Sequence, residues 1–246
     1  MTKSVCCKDK NKITIFIIKT MRISLRDKYL SSQRFNRYLI SVQNDNKKAK
    51  KLYKANLRLA QAFHPLISQF EVVLRNSITN NLTLHFNDTD WIINEVNGFM
   101  NDNSLSTSNY FLKNNISKTI ANLHRRRIQV TSGKVISDQS FGVWVSLFLP
   151  HHYRLLNGQI IHIFPYKPAT ESRASLYTKL SKIRDFRNRV NHCEPICFNQ
   201  NNIDCSEAQA ILDTIYDLIN WIDPNLTKFF REIDNVRNKI AFITNI

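Results

Sequence analysis

The densest concentration of reactive side chains lies in Arg184-Asp185-Phe186-Arg187-Asn188-Arg189-Val190-Asn191-His192-Cys193-Glu194-Pro195-Ile196. At about 100° per residue, a helix here places Asn188 and His192 on one face, with Arg187 beside them. Imidazole is the side chain that most often moves protons near neutral pH. A guanidinium offers a planar fork of donors suited to phosphate. His192 falls in the last turn, where the helix dipole favours a cation. RNA carries its own nucleophile, the 2′-hydroxyl, which DNA lacks. An imidazole can take that proton or protonate the leaving 5′-oxygen, and an arginine can stabilise the charge that builds on phosphorus. This chemistry needs no metal and no cofactor, and it favours RNA over DNA. Arg187 and His192 are therefore the candidate catalytic pair, with Asn188 as an orienting hydrogen-bond donor or a phosphate contact. Arg184 and Arg189 are candidate RNA contacts or ion-pair partners. The bland alternative is an inert helix end whose cations complement the dipole.

The bulk composition fits a polyanionic partner. Lys plus Arg number 35 against 19 Asp plus Glu, a net charge of +16. RNA, DNA or an anionic membrane would each neutralise that surplus, as would simple solvation. With 4 Gly and 6 Pro in 246 residues the chain lacks glycine-rich phosphate loops, which excludes the common nucleotide-binding α/β signatures and favours long helices. The 5 Cys are odd in number, and Cys193 and Cys197 have no second paired spacing, so reduced thiols are expected rather than a metal site. The apolar run Ile13-Thr14-Ile15-Phe16-Ile17-Ile18 is too short to span a bilayer and lacks a cleavage site, so a cytoplasmic chain is expected, with no membrane partner. Met21 could serve as an alternative start. Residues 1–24 read as an N-terminal extension that need not be ordered, and 25–246 as a single all-α domain.

Periodicity predicts the elements that would hold the site. Phe35, Tyr38, Leu39 and Val42 mark a helix over 31–42. A long tract over 47–86 carries the stripe Leu52, Leu59, Phe63, Leu66, Phe70, Val73, Leu74 and Ile78, and Pro65 should kink or split it. Residues 87–109 read as a connection with one short helical turn around Trp91. Helix resumes over 110–127, Thr131-Ser132-Gly133 reads as a turn, and an apolar helix follows over 136–149. Phe141, Trp144 and Phe148 belong there to the core rather than to base stacking. Residues 150–168 read as a loop. The basic helix runs over 172–191 and must stop near His192 or Cys193, because Pro195 biases Glu194 away from helical angles. Asp204 with Glu207 resembles a capping box opening a helix to about Trp221, and Asp223-Pro224 opens a last helix toward Ile240. No strand is predicted.

Two further basic clusters stand out. Lys47, Lys50, Lys51 and Lys54 share a helical face, and Arg125 and Arg126 lie in a run with His124 and Arg127. Each is either a solvated face or a track for a phosphate backbone. Arg58 and His64 also fit a short Arg–His spacing. A leucine follows Arg58 where a polar residue is wanted, and the pair reads as coincidence.

Arg187-Asn188-x-x-x-His192 resembles the signature of HEPN ribonucleases: Arg, a polar residue, a few variable positions, then His. The wider string is similar to the corresponding segment of Abi-like phage-defence proteins, with Cys193 where a second His is common. Further blocks resemble that family in order: Gln33-Arg34-Phe35-Asn36-Arg37-Tyr38-Leu39, Leu52-Tyr53-x-x-Asn56, Phe70-Glu71-Val72-Val73-Leu74-Arg75-Asn76-Ser77-Ile78, and Gly133-Lys134-Val135-Ile136-Ser137-Asp138-Gln139-Ser140-Phe141-Gly142-Val143-Trp144. The resemblance covers residues 25–200. It implies a HEPN-like bundle, a homodimer that brings two signatures together, metal-independent RNA cleavage in abortive infection, and restraint by a small RNA, an antitoxin or a phage trigger. It also implies that the helix of Glu71, Arg75 and Asn76 packs near the catalytic helix, which gives those residues a supporting role. Glu71 and Arg75 could equally pair with each other. The rival expectations are a non-cutting RNA-binding module and a toxin acting by protein interaction.

Overall fold

A computed structural model of the chain describes residues 28–246. The expected extension over 1–24, the apolar run at 13–18, Cys6 and Cys7 lie outside the described residues. The fold is all-α, as its periodicities predict.

The organising element is a 41-residue helix, α2 (Asn46–Phe86), preceded by α1 (Ser32–Ser41). The Asp45 side chain accepts from the Lys47 and Lys48 backbone N–H groups, satisfying donors the first turn leaves orphaned. Asn87 closes the other end in the left-handed region. The predicted stripe on α2 is its buried face: Leu52, Leu59, Phe63, Leu66, Phe70, Leu74 and Ile78 are almost wholly inaccessible. The helix runs through Pro65 without dividing. Pro65 sits on the exposed side, where the backbone hydrogen bond it cannot make costs least, since water can serve the freed Gln61 carbonyl.

The 87–109 connection contains α3 (Trp91–Asn94) and two short 3-10 turns, and α4 (Phe111–Arg125) follows. Three expectations over 131–168 need correction. Ser132 and Gly133 are not a turn but the start of α5 (Ser132–Ser137), capped by Thr131. The apolar helix expected over 136–149 is broken, and α6 (Phe141–Ser146) starts afresh. Between them the buried Gln139 amide donates to Thr119 Oγ1 at 3.1 Å and to the Val135 carbonyl at 2.8 Å, a side-chain anchor that the backbone of a continuous helix would displace. The expected loop over 150–168 holds α7 (Pro150–Leu155) and a 3-10 turn, with Pro150 in the first helical position that suits it.

The basic helix is α8 (Arg173–Asn191), opened by Ser172 in a reciprocal capping box with Ser175. A small antiparallel hairpin follows, β1 (Phe198–Asn199) with β2 (Asn202–Ile203), where no strand was expected. Next comes α9 (Ser206–Ile222), with Asp204 accepting from Ser206 N–H rather than forming the predicted capping box. The final helix is two, α10 (Leu226–Ile233) and α11 (Val236–Thr244). Asp234 divides them: its carboxylate accepts from Val236 N–H at 2.7 Å and from the Tyr216 hydroxyl at 2.9 Å. Phe141, Trp144 and Phe148 are buried, as predicted for core.

Helix α2 touches α1, α6, α8, α9 and α11. Its seam with α8 is locked by Phe63 and Phe186, whose rings meet edge to face at 4.8 Å. As α2 runs from Asn56 through His64 to Glu71, its partners run back from Ile196 through Asn191 to Arg187. The two helices are thus antiparallel neighbours along the site. Among the described residues, no helix is long and apolar enough to cross a membrane.

Candidate active site

The end of α8 is a built structure. His192 is the C-cap, and Cys193 takes the left-handed conformation at φ 51°. Cys193 N–H then donates to the Val190 carbonyl at 3.1 Å and Glu194 N–H to the Arg189 carbonyl at 2.9 Å, which together close the helix. Glycine is the usual residue at such a position; cysteine bears a steric cost there.

Four side chains fix the segment that leaves this turn. Arg34 of α1 donates to the His192 carbonyl at 3.1 Å, satisfying an orphaned helix-end acceptor with a cation. Asn56 of α2, fully buried, donates from Nδ2 to the Glu194 carbonyl at 3.3 Å and accepts from Ile196 N–H at 2.9 Å. Arg189 reaches the Pro195 carbonyl at 2.8 Å and pairs with Glu207 of α9 at 2.6 Å. Arg37 donates to the Gln200 carbonyl, and its guanidinium lies 4.8 Å from the Phe198 ring. The sequence blocks containing Arg34, Arg37 and Asn56 therefore converge on the turn that carries His192. Arg189 is an ion-pair partner, one of the two roles predicted for it.

Arg187 projects to the seam with α2. Its Nη2 lies 3.5 Å from Glu71 Oε2, with the Glu71 side chain only 16% exposed. Burial raises the Glu71 pKa, and Arg187 and then Arg75 oppose that rise. The Glu71 ion pair thus goes to Arg187 and not, as one sequence reading had it, to Arg75. Arg75 Nε is buried with no hydrogen-bond partner. Asn76 faces solvent. Arg184 pairs with the adjacent Asp185 at 2.9 Å. The predicted neighbourhood of Glu71 and Arg187 is present, while Asn76 stands away from it.

Asn188 and His192 are exposed, joined only through the His192 N–H to Asn188 carbonyl bond of the helix. Two openings lie along the α2–α8 seam. A recess of about 40 Å³ is lined by His64, Ile67, Ser68, Arg187, Val190 and Asn191. A larger groove of about 720 Å³ continues from it, with Leu57, Gln61, His64, Pro65, Asn191 and Cys193 among its walls. His192 lines neither. Arg187 and His192 therefore share neither opening within one chain. The imidazole beside Arg187 is His64. Arg58, its apparent sequence partner, faces the opposite way, into a small hollow with Asn238, Lys239 and Phe242 of α11. Arg58 and His64 thus line different openings, in keeping with the coincidence reading, and what that reading did not foresee is His64 beside Arg187. Its neighbour is supplied by a helix remote in sequence, and no local spacing signals that.

The outlying cations are surface groups. Lys47 and Lys51 are exposed, with Lys51 Nζ 5.1 Å from the Phe242 ring. Arg125 and Arg126 are exposed at the end of α4, and Arg125 bonds Asn122. Burial pushes the Cys197 thiol up to about 12 and Cys205 up to about 11, so both stay protonated at neutral pH. Among the described residues, no group of three or more His, Cys, Asp or Glu side chains is placed to hold a metal.

Fold and site together define an all-α protein whose basic helix ends in a pinned, solvent-open turn beside a two-chambered groove. No family model, curated protein or solved structure matches the chain.

Proposed function

We propose that the protein is a metal-independent endoribonuclease of the HEPN type, acting as an Abi-like phage-defence toxin. The observation that carries this reading is the end of α8. Arg187, held by Glu71, and the exposed Asn188 lie on its last turns and lead to the exposed His192, where the chain leaves the helix through a turn immobilised by Arg34, Asn56 and Arg189. A turn fixed by three side chains while its imidazole stays open to solvent has the rigidity that positioned proton transfer needs. Arg187 holds the scissile phosphate and offsets the charge that grows on it. His192 protonates the departing 5′-oxygen, and Asn188 orients it. Pairing of two chains through their α8 ends would bring the exposed histidines together, as the resemblance implies. The cationic surface at Lys47, Lys51, Arg125 and Arg126 would guide RNA by charge. A small RNA, an antitoxin or a phage trigger would restrain the activity.

The test is cleavage of a mixed RNA pool in EDTA by wild type, Arg187→Ala and His192→Ala, with DNA of the same sequence as control. Cleavage of RNA alone, lost in both variants while binding persists, supports the reading. Tight binding by wild type with no cleavage would instead support a non-cutting RNA-binding module.

A further inference from the structure

We propose that His64 is a second catalytic imidazole, the general base that takes the 2′-hydroxyl proton. This inference rests on the ribonuclease reading above and names a residue outside its signature. Cleavage by a 2′-hydroxyl moves two protons, one off the nucleophile and one onto the leaving oxygen, and His192 accounts for one of them.

The geometry follows from the two openings. The recess of about 40 Å³ is small, with room for only a few waters. Its walls are therefore within reach of a common group such as one phosphate oxygen, and they include both Arg187 and His64. The groove of about 720 Å³ is large enough for a nucleoside. Leu57, Ala60, Pro65 and Val190 give it an apolar surface for a base, and Gln61 and Asn191 give polar edges.

His64 and Asn191 line both chambers, and Arg187 lines only the recess. A nucleoside in the large groove is joined to a phosphate at Arg187 through its 3′-oxygen. Its 2′-hydroxyl then lies at the junction, where His64 stands. His64 is exposed and lines both openings where they meet. In the reaction the 2′-oxygen gives its proton to His64 and bonds to phosphorus. The bond from phosphorus to the 5′-oxygen breaks, and that oxygen leaves with the electron pair and takes a proton from a His192, which lines neither opening of its own chain and is brought to the phosphate by the pairing of two chains. The products are a 2′,3′-cyclic phosphate and a 5′-hydroxyl. Both histidines then return to their starting states by proton exchange with water.

The experiment compares wild type, His64→Ala and His192→Ala on one short RNA made with either an oxygen or a sulfur 5′ leaving atom. A thiolate leaves without being protonated, so the sulfur substrate bypasses the acid but still needs the base. Binding is measured in parallel with a 2′-deoxy analogue that cannot react. His64→Ala is expected to slow cleavage of both substrates by about 100-fold or more, with Kd for the analogue within about threefold of wild type. His192→Ala is expected to recover on the sulfur substrate. A His64→Ala enzyme that cuts like wild type, or whose defect the sulfur atom repairs, overturns the base assignment and leaves the ribonuclease reading intact. A wild type that cuts neither substrate overturns that reading, and this inference with it.

Discussion

Replacing Asn56 tests the claim that the turn bearing His192 is held from the core rather than by its own helix. Asn56 is fully buried, and both ends of its amide are used: Nδ2 donates to the Glu194 carbonyl at 3.3 Å and Oδ1 accepts from Ile196 N–H at 2.9 Å. Ile196 is 1% exposed, so its N–H has no water to fall back on. An unsatisfied buried donor costs about 1–3 kcal/mol, and the lost bond to Glu194 adds about 1 kcal/mol. Asn56→Ala should therefore lose about 2–4 kcal/mol in urea unfolding, with the slope unchanged. Asn56→Leu fills the same space but restores neither bond, so it should lose a similar amount despite being more apolar. Cleavage should fall in both variants below their unfolding midpoints, because the Cys193–Ile196 segment is released. A loss below about 0.5 kcal/mol in either variant, the range of ordinary surface changes, would refute the reasoning.

Glu71→Gln should leave stability equal or improved at neutral pH. Its pKa is raised in the folded state, so the protein holds that proton more tightly than the unfolded chain, and stability is lost as pH rises through the carboxylate range. The flattened stability profile is the check, together with a cleavage rate reduced about 10-fold as Arg187 loses its anchor. His152 is buried, its Nδ1–H donating to the Ser146 carbonyl at 2.7 Å, and burial pulls its pKa down to about 4. The unfolded chain then binds the extra proton, so stability should fall by up to about 1.4 kcal/mol per pH unit as pH drops from about 6.5 toward 4. His152→Gln, measured across that range, should remove the slope. Cys193→Gly removes a left-handed cysteine and should raise stability by about 0.5–1 kcal/mol in urea unfolding, since glycine adopts that conformation at no steric cost.

The core stripe of α2 and the stop of α8 at His192 were legible because each is set locally, by apolar spacing and by Pro195. The division of the last helix at Asp234 was not, since it depends on a carboxylate choosing Val236 N–H and the Tyr216 hydroxyl over helix continuation. The hairpin at 198–203 went unread for a related reason: each strand is two residues, too short for alternation to show. Within the candidate site, Arg187 and His192 were singled out by spacing. Their different surroundings were not legible, because Arg187 turns to the α2 seam while His192 caps the helix in solvent. The nearness of His64 to Arg187 depends on α2 packing against α8, which no local spacing signals.

The most direct measurement is the chemistry of the ends left on RNA cut in EDTA. Attack by the 2′-hydroxyl predicts a 2′,3′-cyclic phosphate, or the 3′-phosphate formed from it, facing a 5′-hydroxyl. Ends bearing a 3′-hydroxyl and a 5′-phosphate would mean that water is the nucleophile, and would contradict the roles given to Arg187, His192 and the groove beside them.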